Sequence, residues 1–435
     1  MNKKILSSLI ASSAAMSGVA HAQANVTLYG TLDVGVYYSA HQYNQDPISG
    51  GPAAPLAGAS FKFASEHVVG LTSNGLSPSN IGFKGIEDLG NDLSAIFVAE
   101  MRFNANNGTL QNSIGSLMDV GASKTATDGG DGSTGGQLFS GPVNVGLKSK
   151  TYGTLTFGRI LAPGVYALAA VDPMQMSSYF SPFGYTGQFA GDGFTEDAKI
   201  DNTIVYSNKF GGFDFSAMVK LGGRTGATSA GSAEGVTLGY INGPLTIEAA
   251  YQSFDDAISA GNAGLATPQY TLTYANTRGG LLGAAYTFDK FKLSGGYEYH
   301  VISAPSNPGA DYLANYLGYP VASVNTTAYV GNERKQGTWW FGGSYYLGNL
   351  SLTAAVYSAH QNDWSKGVCT ASGPRASAAC PGNLEFASFL ADYSLSKKTD
   401  VYLGYGFNNN TGGFDVLGTV SKTNNFAELG LRMKF

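Results

Sequence analysis

From about residue 25 to the end of the chain, apolar and polar side chains alternate with period two, and the alternating stretches are joined by connections that are in turn very short and very long. Val26, Leu28, Leu32, Val34 and Val36 alternate with Thr27, Tyr29, Thr31, Asp33 and Gly35, and Leu93, Ala95, Phe97, Ala99, Met101 and Phe103 with Ser94, Ile96, Val98, Glu100 and Arg102. Leu429, Leu431, Met433 and Phe435 oppose Glu428, Gly430, Arg432 and Lys434. Period two places one set on each face of a strand, where a helix would need a stripe of period 3.6. A soluble sandwich shows the same alternation, so the connections decide. The short ones are Leu89-Gly90-Asn91-Asp92, Thr151-Tyr152-Gly153, Asn242-Gly243-Pro244, Asp289-Lys290, Gly348-Asn349 and Ser396-Lys397-Lys398; the long ones run through 41–78, 105–141, 161–199, 254–278, 304–334 and 362–383. Such long connections are uncommon in compact soluble domains. A transmembrane barrel accounts for them, with tight turns at one membrane face and long loops at the other.

The pattern predicts an all-β fold of sixteen antiparallel strands, at 25–39, 79–88, 92–104, 143–151, 153–160, 201–208, 213–221, 233–242, 244–253, 280–288, 290–303, 335–347, 349–361, 384–395, 399–409 and 424–435. Most reach or exceed the roughly 9–11 residues that a tilted strand needs to cross the hydrocarbon layer. Backbone groups in that layer have no water to bond, so the sheet must close and the last strand must meet the first. Sixteen strands enclose an aqueous lumen, whereas eight are filled by side chains. Charged residues make up only 13% of the chain, against about 25% in ordinary soluble domains, and after the N-terminus no strongly apolar run of helical membrane-span length occurs. Tyr37, Tyr38, Tyr286, Phe288, Tyr297, Tyr299, Tyr345, Tyr346, Tyr393, Tyr402 and Tyr405 fall towards strand ends, where amphipathic rings suit the membrane interface.

Residues 1–22 read as a secretory leader: Lys3 and Lys4, an apolar stretch from Ile5 to Ala20, and the small-x-small site Ala20-His21-Ala22. Cleavage then leaves a single barrel domain at 23–435, or one starting a step later if cleavage follows Ala24. Loss of the two lysines takes the formal charge from −5 to −7, which gives no support to a nucleic-acid partner. Beyond the inner membrane disulfides persist. Cys369 and Cys380, the only two cysteines, are expected to close an external loop, the alternative being two free thiols.

Several stretches in chain order resemble the general porins of the Gram-negative outer membrane, and most closely the sixteen-stranded trimeric type of betaproteobacteria. Val26-Thr27-Leu28-Tyr29-Gly30 is similar to the family's first strand, and Ile81-Gly82-Phe83-Lys84-Gly85 with Glu87-Asp88-Leu89-Gly90 to its second strand and turn. Tyr152-Gly153-Thr154-Leu155-Thr156-Phe157-Gly158-Arg159 resembles strand five, and Tyr393 to Tyr402 the turn between strands fourteen and fifteen. Gly430-Leu431-Arg432-Met433-Lys434-Phe435 resembles the family's ending, whose terminal Phe is read by the barrel-assembly machinery. The resemblance implies an outer-membrane homotrimer in contact with lipid and lipopolysaccharide, and passive diffusion of small hydrophilic solutes and ions without a cofactor. It also implies that the third long loop, about 160–199, folds into the lumen and sets acids against arginines on the facing wall.

The chain departs from that pattern. Asn80, Gly141 and Val205 stand where the family often carries arginines, and the usual acids are missing around Ser181-Pro182-Phe183-Gly184. The loop instead carries Tyr166, Met174, Met176, Tyr179, Phe180, Phe183, Tyr185 and Phe189. Strand parity turns Lys84, Glu100, Arg102 and Lys292 inward, and Asp172, Asp192, Glu196, Asp197 and Lys199 lie on the loop or its return. Asn80, Lys84, Glu100, Arg102, Arg159, Asp172, Tyr179, Phe180, Phe183, Lys199, Lys292 and Glu298 are therefore the candidates for lining the pore or its constriction. Their character points to a weakly polarised, aromatic constriction, and keeps open a substrate-specific channel beside the general porin.

Three further features have plainer readings. His300 beside Glu298 is a polar wall position or a pH-sensitive group. The glycine-rich stretch 128–136 lacks the spaced acids and terminal Glu of a calcium loop and reads as an external loop. No Ser/His/Asp or Cys/His grouping stands out, so an enzyme is not expected.

Overall fold

The computed structural model describes residues 25–43, 65–110, 138–184, 198–223, 229–262, 270–310, 315–316, 319–367, 369, 379–414 and 423–435. The expected leader at 1–22, the glycine-rich stretch 128–136, and Tyr185, Phe189, Asp192, Glu196 and Asp197 lie outside them.

Sixteen strands pair with their sequence neighbours, all antiparallel, into a closed barrel. They are β1 (Asn25–Tyr43), β3 (Asn80–Gly90), β4 (Leu93–Arg102), β5 (Val143–Ser149), β6 (Gly153–Leu161), β7 (Lys199–Phe210), β8 (Phe213–Lys220), β9 (Ala233–Asn242), β10 (Leu245–Asn262), β11 (Tyr270–Phe288), β12 (Phe291–Ser303), β15 (Arg334–Leu347), β16 (Leu350–Gln361), β17 (Gly382–Ser394), β18 (Thr399–Gly412) and β19 (Thr423–Lys434). Closure runs from Thr31↔Lys434 to Ser39↔Phe426 and ends in reciprocal bonds between the backbones of Gly30 and Phe435. Closure leaves no sheet edge facing lipid.

Among the described residues, three more strands lie in the long connections, where apolar alternation predicts loops. β2 (Ser65–Ser73) continues the line of β3 and pairs with the outer half of β1, while β13 (Asn315–Tyr316) and β14 (Tyr319–Asn325) form a small hairpin whose second strand runs parallel to β11. β10 and β11 also extend well into the stretch expected to be a loop at 254–278, past a bulge between Phe254 and Ala257. The reason is common to both: beyond the lipid both strand faces meet water or other loops, so apolar alternation stops while backbone pairing continues.

Facing exposures follow parity. On β15, Trp339 and Phe341 are exposed outward and Trp340 is buried inward; on β18, Leu403 and Tyr405 point out and Tyr402 in. Rings stack around the short-turn end, with Phe291 lying 5.7 Å from Phe288 and 4.4 Å from Tyr345. Two tyrosines expected at the membrane interface are inside instead. Tyr37 packs against Tyr179 and Phe426, and the Tyr402 hydroxyl bonds Asp33 and Glu428. Each sits next in sequence to an outward residue, so parity, and not ring type, decides its side.

The Asn91-Asp92 turn joining β3 to β4 has φ of +52° and +64° at its two residues, the left-handed pair that a two-residue hairpin requires and that Asn and Asp tolerate best after Gly. Cys369 and Cys380 form a disulfide with Cα atoms 5.5 Å apart.

Candidate pore constriction

After β6 the chain turns inward and forms helix α1 (Pro163–Val171), followed by a turn and a 3-10 turn at Pro182–Gly184. Pro163 opens the helix with its φ already set, and the Ala- and Leu-rich run sustains it. Its end is held by three wall side chains. Trp340 of β15 donates its indole N–H to Val171 O at 3.0 Å, Lys292 of β12 donates to Ala170 O at 3.4 Å, and Tyr357 of β16 donates its hydroxyl to Asp172 Oδ1 at 2.6 Å. The lysine meets carbonyls at the negative end of the helix dipole.

Asp172 is fully buried, and its carboxylate also accepts the N–H groups of Met174 and Met176, at 3.3 and 2.6 Å. Burial pushes this carboxyl above its ordinary value, against the hydrogen bonds from Tyr357 and the backbone. A candidate for the constriction, whose direction the sequence leaves open, is thus a structural pin. It is also the only charged residue between 161 and 184, so this part of the loop exposes no charge at all.

The aromatic stretch behaves likewise. Phe183 packs edge-on against Trp340 and Tyr357, at 5.1 and 5.8 Å, and Phe180 lies near Phe426, with its carbonyl accepting Ser388 Oγ–H at 2.7 Å. Both phenylalanines are buried, so they bond the loop to the wall and do not line the water path. Tyr179 shares a 2.6 Å hydrogen bond with Thr72, and burial pushes its hydroxyl up to about 12. The wall receives the loop where it has no side chains: a Cβ at Gly404 would strike the Phe180 ring and one at Gly283 would strike Val171, while one at Gly296 would strike the Trp340 indole that anchors the loop. These inward glycines are functional residues that the reading by apolar alternation passed over. Their signal is present in the chain, as glycine recurring at lumen-facing parity.

Across the lumen from α1, the wall of β1, β3 and β4 carries one charged cluster. Glu100 accepts Arg102 Nε–H at 2.9 Å on one oxygen and the Tyr29 hydroxyl at 3.2 Å on the other. The Lys84 ammonium sits 5.1 Å from the centre of the Tyr29 ring, exposed to the lumen. Asn80 pairs in register with Arg102, so the adjacent strand supplies a guanidinium at the level where Asn80 lacks one. Arg159 is buried and spent: it pairs with Asp201 at 2.6 Å and donates twice to Ser140 O. Lys199 is buried at the start of β7, and Glu298 and His300 are buried on β12, 3.4 Å apart. The loop side of the gap is Tyr166 of α1. Its ring is 62% exposed, yet it lies within electrostatic reach of Arg102 and Glu100, as in a confined water-filled passage.

The structure therefore brings Lys84, Glu100, Arg102 and Tyr166 to one gap, and places Asp172, Phe180, Phe183 and Lys292 in the loop's anchorage. No group of three metal-ligating side chains occurs among the described residues.

A family model described as Gram-negative porin matches residues 8–413. The chain is 27% identical over 310 residues to an outer membrane porin protein of Bordetella pertussis, covering 68% of this chain and 69% of that one. It is 29% identical over 289 residues to outer membrane porin protein 32 of Delftia acidovorans, covering 65% of each. Among solved structures, an anion-selective porin from Comamonas acidovorans superposes with a TM-score of 0.63 at 20% identity, covering 95% of this chain and all of the other. A trimer form of OmpT from Vibrio cholerae gives 0.58 at 14% identity, covering 95% and 99%.

Proposed function

The chain belongs to the Gram-negative porins, and on that premise we propose how its pore sorts solutes. The protein is an outer-membrane channel for passive diffusion, not an enzyme. Solutes pass between α1 and the wall of β1 and β3–β8, and small anions pass more readily than cations. The observation that carries this reading is the one-sidedness of the gap. The loop between 161 and 184 exposes no charge, while Lys84 and Arg102 face it from the wall and Glu100 pairs with Arg102. One full charge at a few Å is worth on the order of 1 to 4 kcal/mol at water-like to surface-like dielectric, so the preference is modest. The relative from Comamonas acidovorans is itself described as anion-selective. Reversal potentials across a planar bilayer in a potassium chloride gradient test it: a modest chloride preference is expected, and a potassium preference overturns it. Linear flux of neutral solutes distinguishes this general channel from a substrate-specific one, whose flux saturates.

The unit is a homotrimer whose subunits meet along β3–β6. These are among the shortest barrel strands, and their outer face holds a groove of about 420 Å³ lined by Gly85, Ala95, Phe97, Val145, Leu147 and Phe157. Glu87 borders the same groove, and a carboxylate there suits a protein neighbour better than hydrocarbon. The remaining outer face meets lipid and lipopolysaccharide. Residues 1–22 are removed on export, leaving the barrel domain 23–435, and the segment ending in Phe435 is what the barrel-assembly machinery engages.

A further inference from the structure

The loop buries Phe180 and Phe183 but leaves the Tyr166 ring in water, where it contributes nothing to the packing that holds α1 in place. Facing it are cations whose donors are not used up. Arg102 is held through Nε by Glu100, which Tyr29 steadies in turn, and its two terminal amino groups have no hydrogen-bond partner among the described residues. Lys84 has no ion pair or hydrogen bond among them either; its one recorded contact is the Tyr29 ring. An aromatic face and a fixed, planar, partly free guanidinium thus stand on opposite sides of one gap.

We propose that this gap is a preferred passage for aromatic carboxylates, with Lys84 and Arg102 drawing the carboxylate and Tyr166 offering its face to the solute's ring. The inference deepens the anion-preferring reading above and rests on it. Chemistry separates the two parts. A small inorganic anion uses the cations alone, whereas a benzoate-like solute uses the cations and the ring together. A guanidinium tied at Nε still presents its terminal N–H groups to a carboxylate. Offset contact between two rings is favourable but weak, as conduction demands: binding must be good enough to enter and poor enough to leave. Arg102 keeps its orientation while a solute passes because Glu100 is braced on both oxygens.

The test uses the purified full-length protein in planar bilayers and compares benzoate with cyclohexanecarboxylate, an acid of the same charge and similar size without an aromatic ring. Permeabilities come from reversal potentials with chloride on the opposite side. In the wild type, benzoate is expected to exceed cyclohexanecarboxylate by roughly two- to tenfold, the range an aromatic contact supplies. Tyr166→Leu brings that ratio to about one while Tyr166→Phe keeps it, since π-character and not the hydroxyl is what matters. Lys84→Gln with Arg102→Gln lowers both acids together and leaves their ratio standing. Tyr166 is exposed, so its replacement does not disturb the fold, and an unchanged thermal unfolding in detergent verifies this. Equal passage of the two acids through a chloride-preferring wild type overturns this inference alone. A potassium-preferring wild type overturns the anion reading and this inference with it. A ratio that survives Tyr166→Leu removes Tyr166 from the role.

Discussion

On one side of the lumen, α1 lies against β9–β12 and the turns after it against β15–β18, with Phe180, Phe183, Trp340 and Tyr357 buried between loop and wall. On the other, β3 leaves Lys84 facing water and β4 holds Arg102 against Glu100 with 14% of its side chain exposed. The loop side is built like the interior of a soluble protein, from rings seated on glycines and a buried carboxylate whose oxygens are all engaged. The wall side is built like a surface. Inside a barrel, both are inward faces of the same sheet, so inward parity alone does not say whether a residue meets solute. What decides is whether the loop has covered it. Charge on the covered side becomes architecture, as at Asp172, and charge on the bare side remains available for selection.

The comparison breaks most severely if the covered side is opened. Trp340→Ala removes an indole that packs on Phe183 and bonds Val171 O. Large aromatic deletions from packed interiors cost about 3–5 kcal/mol, enough to release the loop. Single-channel conductance is expected to rise and become noisy while the barrel persists. Tyr357→Phe is milder. It takes from the buried Asp172 Oδ1 its 2.6 Å hydrogen bond and leaves the 3.3 Å one from Met174 N–H, a loss of about 1–3 kcal/mol, seen as more frequent substates. The same carboxyl gives the covered side a pH dependence. Its value is raised by burial, so the docked loop favours the protonated form. That stabilisation is fully present below the ordinary carboxylate range and is lost as pH rises through the raised value. Conductance noise should therefore grow with pH, and Asp172→Asn should abolish the trend.

The two sides were unequally legible in the sequence. The barrel was read almost completely, because a strand between lipid and water must alternate and the alternation survives in Leu429, Leu431 and Met433 as clearly as in Val26 and Leu28. The pairing outside the lipid was not. β2, β13, β14 and the arms of β10 and β11 obey no two-solvent rule, so nothing in their apolar pattern announces them. In the lumen, strand parity alone turns Lys84, Glu100 and Arg102 inward. Phe180 and Phe183 are expected in the water path because composition shows that a loop is aromatic without showing which way its rings turn, and Asp172 has no direction in the sequence at all. The seats that settle it, Gly283 and Gly404, lie a hundred residues or more further along the chain, and only the fold brings them beneath the loop.

Substitution on the bare side sharpens the contrast from the other direction. Lys84→Gln is expected to shift ion preference by the weight of one screened charge, on the order of 1 kcal/mol or less, while changing stability by less than about 0.5 kcal/mol. Reversal potentials and thermal unfolding in detergent measure the two separately. A stability loss comparable to that of Trp340→Ala would mean that the bare wall is packed after all.

The smallest effect lies outside both regions, at the β3–β4 turn, and serves as a baseline for them. Asp92 is fully exposed, yet hydrogen bonds hold its carboxyl down at about 2, first from the Ser149 hydroxyl and then from the Thr151 N–H. A lowered carboxyl contributes its stabilisation above the ordinary value of about 3.9 and loses it as pH falls towards about 2, the opposite sense to Asp172. Acidification across that window should speed amide exchange at Lys150 and Thr151 and leave the conductance of the docked loop unchanged. Asp92→Asn should remove the pH dependence of that exchange. If acid below pH about 4 also altered conductance in the wild type but not in Asp92→Asn, the turn and the constriction would be mechanically coupled. The separation between a covered and a bare side would then have to include the turns beneath them.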